Sequence, residues 1–355
     1  MVHFTLLFSS FIAFLRHNKK SLLLFSFMIL FIFSALRMDF GNDYDSYKSI
    51  YEIIKSTGTN SLYDDNPLFV LLNKLSPTFQ WFIAVTSFIF LFAVYKLIKK
   101  NVEEEYHGLA LLLFLLNPYM FLINLSSIRQ SIALALFIWA ISFAVKRKLI
   151  PYVLLVFAAS LFHTSAIVLL PFYFLAKPKK VSRVFLIVFI IILAALVLNP
   201  FSYDWMLKLF EEFLSDTRYD RYFEEARGNG LAATAVAVMY LIYMLLNIRR
   251  IDGKAAAYAK LYLVSTAISV LAYKTNMFTR FDNYFIIFGL ITIPSIIQWN
   301  RENETNRLLY MLNVYVFPAF ILGTYGLKYF NFFVRDEIWV DFRTYKVNFT
   351  GFFSS

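Results

Sequence analysis

The sequence predicts an all-α polytopic membrane protein, and three observations lead to this fold class. Hydrophobic residues make up 60% of the chain and charged residues 16%, whereas soluble domains are about half apolar and about a quarter charged. Several apolar runs are long enough to span a membrane. Basic clusters recur between these runs, from Arg16 to Arg307. We therefore expect a single integral membrane domain over residues 1–355, with little soluble mass.

The apolar runs predict about nine full spans. They cover residues 21–37, 79–96, 108–125, 130–145, 182–199, 231–248, 257–273, 283–299 and 308–325. If all basic clusters lie in the cytoplasm, the N-terminus is cytoplasmic and the C-terminus lies outside. This topology leaves two outer loops, residues 38–78 and 200–230, and an outer C-terminal tail, residues 326–355.

Residues 149–176 are too short to cross the membrane twice. They lie between two basic clusters, so they must leave the cytoplasmic face and return to it. Each leg has about 13 residues and reaches roughly 20 Å, less than the hydrocarbon core of about 30 Å. We expect a short helical hairpin with His163 at its apex, where Thr164 and Ser165 cap the second leg.

The composition excludes several kinds of site. The chain has no cysteine, which excludes disulfides, thiolate metal sites and cysteine nucleophiles. It has four histidines and no Walker or dinucleotide glycine motif. We therefore expect no metal and no cofactor. The net charge of +11 is explained by the basic cytoplasmic clusters, so nucleic acid is not expected as a partner.

Arg129 lies where a helix is predicted to run inward from the outer face, in NLSSIRQSIALALF. Ser126 or Ser127 is the predicted cap of this helix. A cation in the first turn opposes the helix dipole by about 0.3–1 kcal/mol, so an anion is expected beside it. A helix N-terminus and an arginine fork suit a phosphate oxyanion. The alternative is an arginine that reaches lipid headgroups.

Arg280 repeats this arrangement in TNMFTRFDNYFIIFGLI. The alternative for Arg280 is an ordinary ion pair with Asp282, and exposed pairs of this kind contribute about 0–1 kcal/mol. Two arginines at two outer helix starts favour a ligand with several anionic oxygens. A pyrophosphate has enough oxygens for both.

The first outer loop begins GNDYDSYKSIYEIIKS and predicts an interfacial amphipathic helix. Its apolar face consists of Tyr44, Tyr47, Ile50, Tyr51 and Ile54. Asp43 is either the cap of this helix or a base or acceptor for a sugar hydroxyl. Gly41 allows a tight turn at the membrane surface. Arg37 and Asp39 are expected either to pair or, for Arg37, to contact substrate.

His163 is the most unusual ionisable residue of the chain, because apolar residues surround it in VFAASLFHTSAIVLLP. It is either a neutral packing residue or a functional group, and ionisable groups at membrane depth are usually functional. Further candidates for substrate binding are Arg37, Asp45, Tyr44, Tyr47, Gln130, Tyr284, Arg218 and Arg221. The tyrosines also fit an aromatic belt, and the last two arginines also fit helical ion pairs.

Four ordered motifs resemble those of one family. They are G-N-D-Y-D-S-Y, I-R-Q-S-I-A-L-A, L-F-H-T-S-A-I-V-L-L-P and T-R-F-D-N-Y-F. In this order they look like the EpsG/Wzy group of bacterial polysaccharide polymerases, over roughly residues 20–300. The C-terminal tail is not part of the resemblance.

The resemblance implies a fold similar to the GT-C glycosyltransferases and a site at the outer face of the bacterial cytoplasmic membrane. Its substrates would be oligosaccharides linked to polyprenyl pyrophosphate. The growing chain would move to the non-reducing end of the next lipid-linked unit. Arg129, Arg280, His163 and Asp43 match the motif positions tied to activity. Implied partners are membrane lipids, a chain-length regulator and a flippase.

This chemistry agrees with the residues described above. Arg129 and Arg280 would stabilise the leaving pyrophosphate, and His163 or Asp43 would be the base. Two alternatives to such a polymerase remain open at this point. One is a transporter or flippase of lipid-linked oligosaccharides, and the other is a related O-antigen ligase or sugar acyltransferase.

Overall fold

The computed structural model describes residues 20–63, 65–199, 230–273, 277–334, 341–343 and 345–353. The described chain is mostly helical, which confirms the predicted all-α class. Two short strands, β1 (Arg37–Met38) and β2 (Lys346–Val347), pair in antiparallel orientation. The α-helices are α1 (Lys20–Ala35), α2 (Tyr44–Thr57), α3 (Pro67–Leu75), α4 (Phe79–Asn101), α5 (His107–Leu116), α6 (Leu122–Ser126), α7 (Ile128–Val145), α8 (Leu149–Ser160), α9 (Phe172–Leu175), α10 (Arg183–Leu198), α11 (Leu231–Asn247), α12 (Gly253–Leu271), α13 (Met277–Asp282), α14 (Gly289–Asn303), α15 (Arg307–Met311) and α16 (Phe317–Val334).

Four helical segments of the described chain are long and apolar enough to cross a membrane. They are Phe79–Asn101, Ile128–Val145, Leu231–Arg250 and Arg307–Val334. Shorter apolar helices run over Leu22–Ala35, Leu149–Ser160, Thr164–Leu175 and Arg183–Leu198. These helices support a membrane protein. The number of about nine spans and their orientation stay predictions.

The predicted span over residues 108–125 is not one continuous helix. α5 ends before Asn117 and α6 begins only after the turn at Pro118. The residue before a proline is driven out of the α conformation, and Asn117 is extended. Its side-chain oxygen accepts the N–H of Tyr119 at 3.1 Å, and the amide of Asn124 donates to the Tyr119 carbonyl at 3.1 Å. These bonds replace helical ones across the break.

The hairpin predicted over residues 149–176 has the expected short legs. Its first leg is α8, and its second leg is a 3₁₀ segment, Thr164–Leu169, followed by α9. The two legs are tied together because the phenol of Tyr152 donates to the carbonyl of Leu169 at 2.5 Å. The Tyr152 ring also packs against Tyr173, with 5.3 Å between centroids. The chain therefore turns back at His163, as predicted.

The amphipathic helix predicted in the first outer loop is α2. Its buried residues are Tyr44, Tyr47, Ile50, Tyr51 and Ile54, the same set that the helical period predicts. This face packs on a hydrophobic cluster that includes Phe69 of α3, Phe82 of α4 and Ile128 of α7. The apolar face of α2 is therefore buried against protein, whereas an interfacial helix would bury it in lipid.

The C-terminal tail, whose fold the sequence did not define, is attached to the loop after α1. Tyr345 stacks on Phe33 with 4.5 Å between ring centroids, and its phenol donates to the Phe33 carbonyl at 2.7 Å. Lys346 forms an ion pair with Asp39 at 2.9 Å. The expected pair between Arg37 and Asp39 is therefore wrong, because the carboxylate faces the tail.

The chain divides into two compact units, Met1–Tyr173 with Leu322–Ser355, and Phe174–Ile321. In the second unit, Asn247, Asn300 and Asn313 are buried and form a closed ring of amide hydrogen bonds of 2.8, 3.3 and 3.2 Å. The ring satisfies a donor and an acceptor of each amide, as buried polar groups require. That the two units act as one domain stays a prediction.

Candidate functional site

The loop after α1 lies directly against the turn between α6 and α7. Gly41 has φ of +106°, a backbone conformation that favours glycine. A Cβ at Gly41 would lie 3.6 Å from the Cα of Ser126, so the two backbones pass closely. The N–H of Asp43 donates to the Ser126 hydroxyl at 3.0 Å, and this hydroxyl donates to Oδ2 of Asp43 at 3.1 Å. The G-N-D motif is therefore anchored at the start of α7.

The two helix caps predicted here are not formed. Asp43 occupies the N-cap position of α2, but its carboxylate makes no capping bond. Ser127 occupies the N-cap position of α7 and also makes none. Ser126 does not cap α7 either, because its oxygen accepts the N–H of Asp43. The expectation that Asp43, Ser126 or Ser127 caps a helix is therefore wrong, and the first two residues bind each other.

Arg129 lies in the first turn of α7, as predicted, and is half-buried. Its Nη1 donates to Oδ1 of Asn66 at 2.9 Å. Its guanidinium carbon lies 4.6 Å from the ring centroid of Tyr63 and 5.8 Å from that of Phe69, within cation–π range. Among the described residues, no carboxylate pairs with Arg129, and its buried Nε–H meets no acceptor. The cation therefore contacts neutral groups.

Tyr47 connects α2 to the same turn. Its phenolic oxygen accepts the backbone N–H of Arg129 at 3.4 Å. Burial raises the pKa of Tyr47 above its usual range, and the Arg129 cation opposes this rise only in part. The phenol is therefore neutral at physiological pH. It adds no negative charge beside the guanidinium.

Tyr44 is buried as well, and its ring packs edge-on against Phe79 with 5.3 Å between centroids. Burial raises the pKa of Tyr44 to about 12. Protein covers the rings of both Tyr44 and Tyr47 in this structure. Their expected stacking on sugar rings stays a prediction.

His163 lies at the apex of the hairpin and is half-buried. Its backbone N–H donates to the carbonyl of Ala159 at 2.9 Å, which closes the last turn of α8. The expectation that Thr164 and Ser165 cap the second leg is wrong, because His163 occupies the N-cap position without a capping bond. The hydroxyl oxygen of Thr164 instead accepts a hydrogen bond from the amide of Asn66 at 3.1 Å.

Asn66 thus joins the Arg129 turn to the hairpin apex. Together with Ser126, it connects the segments of the first unit that carry Asp43, Arg129 and His163. We call Asp43, Asn66, Ser126, Arg129 and Thr164 the polar cluster. Asn66 was not among the predicted residues. It precedes Pro67, and an Asn-Pro pair marks a turn or helix start. That signal does not reveal a contact with Arg129.

Arg37 is 1% exposed and contacts protein groups. Its Nη1 donates to the Ser34 carbonyl and the Ser87 hydroxyl, each at 2.9 Å, and its Nη2 donates to the Leu125 carbonyl at 2.8 Å. These bonds tie α1, α4 and α6 together just before Ser126. The contacts support a role in holding the turn, and the predicted contact of Arg37 with substrate stays a prediction.

Arg280 lies in α13, in the second unit, and is exposed. The long helix that follows begins only after a further turn, as α14. The carboxylate of Asp282 accepts hydrogen bonds from the hydroxyls of Ser265 and Ser269 on α12, the second at 2.9 Å. That Arg129 and Arg280 act on the same diphosphate stays a prediction.

The other predicted residues lie in different surroundings. Gln130 and Tyr284 are buried, and Asp45 is exposed in the first turn of α2. Arg218 and Arg221 lie outside the described residues. Their roles in substrate binding stay predictions. Within the described ranges, no group of three or more histidine, aspartate or glutamate side chains is arranged to hold a metal ion.

Comparison with known proteins identifies the family of the chain. No curated protein matches it, and no solved structure matches it. The model of the EpsG family matches residues 20–334, which include Asp43, Arg129, His163 and Arg280. The family match covers most of the sequence, and the chain therefore belongs to the EpsG family.

Proposed function

We propose that the protein is a Wzy-type polysaccharide polymerase. It moves a growing glycan from its polyprenyl-pyrophosphate carrier to the non-reducing end of the next lipid-linked repeat unit. The reaction takes place at the outer face of the bacterial cytoplasmic membrane. Membership of the EpsG family and the long apolar helices support this proposal. The observation that carries it is the Arg129 guanidinium, which lies among neutral groups at the start of a helix.

The surroundings of Arg129 favour an anion. A cation in the first turn of a helix is destabilised by about 0.3–1 kcal/mol. The buried Nε–H, which meets no acceptor in the described part of the chain, adds about 1–3 kcal/mol. A diphosphate oxygen on this guanidinium removes both penalties. The nearby helix N-terminus favours the same negative charge.

The proposed reaction needs one nucleophile, one leaving group and one base. An acceptor hydroxyl oxygen bonds to the anomeric carbon, while the bond from this carbon to the diphosphate oxygen breaks. The electron pair leaves with the lipid diphosphate, and the hydroxyl proton goes to the base. Arg129 stabilises the growing negative charge by a few kcal/mol. We assign Arg280 the same role, as the second predicted cation.

His163 and Asp43 are the two candidate bases. We assign His163 as the base, because it lies at the hairpin apex next to Thr164, which is linked to the Arg129 turn through Asn66. We assign Asp43 as an acceptor for a sugar hydroxyl, because its carboxylate already takes part in a fixed hydrogen bond with Ser126. A neutral imidazole is the usual proton acceptor near neutral pH.

The decisive experiment uses purified protein in liposomes with defined polyprenyl-pyrophosphate repeat units. We expect a ladder of extended products without added nucleotide or metal. The variant Arg129→Ala should give no ladder, whereas Lys48→Ala, an exposed cation on α2, should behave like the wild type. Movement of repeat units across the bilayer without extension would indicate a transporter. Transfer to an acceptor other than a repeat unit would indicate a ligase.

A further inference from the structure

Asn66 has a central place in the polar cluster. It is 1% exposed and lies at the N-cap position of α3. Its Oδ1 accepts the hydrogen bond of Arg129, and its Nδ2 donates to Thr164 at 3.1 Å and to the Asp65 carbonyl at 3.0 Å. A single side chain therefore contacts both Arg129, the residue proposed to bind the diphosphate, and Thr164, the neighbour of His163.

The chemistry of the groups fixes the direction of these bonds. A guanidinium has donors and no acceptor, so the amide oxygen of Asn66 must face Arg129. The amide nitrogen then faces Thr164, whose hydroxyl oxygen must accept. Rotation of the amide by 180° would place N–H groups against the guanidinium and would break the contact with Arg129. Asn66 is therefore held in one orientation.

The second constraint on Arg129 is aromatic. The ring centroid of Tyr63 lies 4.6 Å from the guanidinium carbon and restricts the group on one side, while Asn66 holds Nη1 by a hydrogen bond. The buried Nε–H meets no acceptor within the described residues. Together with one hydrogen of Nη2, it forms the edge of the guanidinium that binds an oxyanion in a bidentate manner.

A neutral amide leaves the positive charge of Arg129 available. An aspartate at the same place would form a buried ion pair with the guanidinium and would compete with an anionic ligand. An alanine would leave the charge but not its orientation. The two substitutions therefore separate the effect of charge from the effect of position.

We propose that Asn66 is the positioning residue of the active site. It orients the Arg129 guanidinium toward the lipid diphosphate without neutralising it, and it couples this cation to the hairpin apex that carries His163. This inference rests on the proposed polymerase function. Asn66 does not touch the reacting atoms, and it acts through Arg129 and Thr164.

The kinetic experiment compares Asn66→Asp, Asn66→Ala and wild type in the liposome assay. We expect Asn66→Asp to lower kcat/KM by on the order of 100-fold, mainly through KM, because the new carboxylate competes with the diphosphate. We expect Asn66→Ala to lower kcat by about 10-fold with little change in KM. The activity of Asn66→Asp relative to wild type should rise only as pH falls below about 4, because the Arg129 cation holds the pKa of the new carboxyl below its usual value.

The matched control is Asn73→Asp, which makes the same change at another buried asparagine of α3. The amide of Asn73 donates to the carbonyl of Phe69 within its own helix at 2.8 Å. Asn73→Asp also buries a carboxylate, but no hydrogen bond joins this position to Arg129, so the variant should not show the rise in KM expected of Asn66→Asp. Equal kinetics and equal pH profiles for the Asn66→Asp and Asn73→Asp variants would overturn the inference.

A stability measurement tests the contact without the reaction. We expect Asn66→Ala and Thr164→Val to lower the melting temperature, and the double variant to lose less than the sum of the two. Thr164→Ser keeps the hydroxyl and should restore the wild-type value. Additive losses would overturn the coupling. An inactive wild type would overturn the proposed function and the catalytic part of this inference, whereas an active wild type with unaffected Asn66 variants would overturn the inference alone.

Discussion

The backbone N–H of Asp43 donates to the hydroxyl of Ser126, and this hydroxyl donates in turn to the Asp43 carboxylate, across 83 positions of the chain. The two bonds connect the loop after α1 to the residue before the α7 turn. Gly41 makes this turn possible, since its φ of +106° is a backbone conformation that other residues rarely adopt. The hydroxyl of Ser126 therefore helps to hold Asp43 beside the Arg129 turn.

Ser126→Ala removes both of these bonds. Each intramolecular hydrogen bond contributes about 0.5–1.5 kcal/mol, so the loop should lose its fixed position and the rate of glycan extension should fall by about 10-fold. The ladder assay measures this rate. The control is Ser131→Ala, because the Ser131 hydroxyl bonds to the Ile128 carbonyl within its own helix at 2.8 Å. Equal losses in the two variants would contradict the role of Ser126.

Arg129→Ala and Arg280→Ala should each abolish polymer while single-unit products persist. The reason is that each variant removes a cation expected to stabilise the leaving diphosphate. Arg129→Lys keeps the charge but loses the fork, and it should recover only part of the activity. Gel analysis of lipid-linked glycans from cells measures chain length. Normal polymer length in both alanine variants would count against the leaving-group role.

Local patterns in the sequence predicted the parts of the fold that local physics determines. The apolar face of α2 follows from the helical period alone, because such a face must be buried whatever covers it. The hairpin that turns at His163 follows from its length between two basic clusters. The break at Pro118 also had a local signal, in the Asn-Pro pair, but the high hydropathy of the segment concealed it.

The contacts that organise the candidate site had no such signal. Asn66 meets Arg129 across 63 positions, and Asp39 meets Lys346 across 307. A single polar residue has no period, and its partner depends on how distant helices pack. Ser126 shows the consequence, since its sequence context predicted a cap while tertiary packing gave its hydroxyl to Asp43. The contacts of Asn66 and Ser126 could therefore not be predicted from the sequence.

His163→Ala should lower turnover by more than about 100-fold with little effect on lipid binding, because general-base catalysis contributes about 10²–10⁴-fold. Added imidazole should restore part of the activity if the lost group is the base. Asp43→Asn keeps an acceptor for Ser126 but loses the charge, and its loss should be smaller. Single-turnover assays separate binding from chemistry. If imidazole restores neither variant, and if only His163→Ala has a lowered melting temperature, then His163 is a packing residue.

Tyr44 should make stability depend on alkaline pH. Burial raises its pKa from 10.0 to about 12, so the unfolded chain ionises this phenol at a lower pH than the folded chain. The contribution of Tyr44 is complete below pH 10 and is lost as pH rises from 10 to about 12. Tyr44→Phe keeps the ring against Phe79 and should reduce the fall of the melting temperature over this range. An unchanged slope in the variant would show that other groups cause the fall.

Deletion of residues 341–355 should inactivate the protein, although the family match ends at residue 334. The deletion removes the strand pair of β1 with β2 and the hydrogen bond from Gly41 to the Asp341 carbonyl at 3.2 Å. The loop that carries Asp43 then loses its contacts with the C-terminal tail. We expect a lower melting temperature and a loss of extension of at least about 10-fold, measured in the same liposomes.

Variants of Tyr345 distinguish support of the loop from a general effect of the deletion. Tyr345→Ala removes the ring that stacks on Phe33, whereas Tyr345→Phe keeps the ring and loses the hydrogen bond to the Phe33 carbonyl. We expect activity to fall in the order wild type, Tyr345→Phe, Tyr345→Ala, because the packing of the ring contributes more than its single hydrogen bond. Deletion of residues 354–355 is the control and should leave activity unchanged. Full activity of the Tyr345→Ala variant would show that the tail does not hold the Asp43 loop.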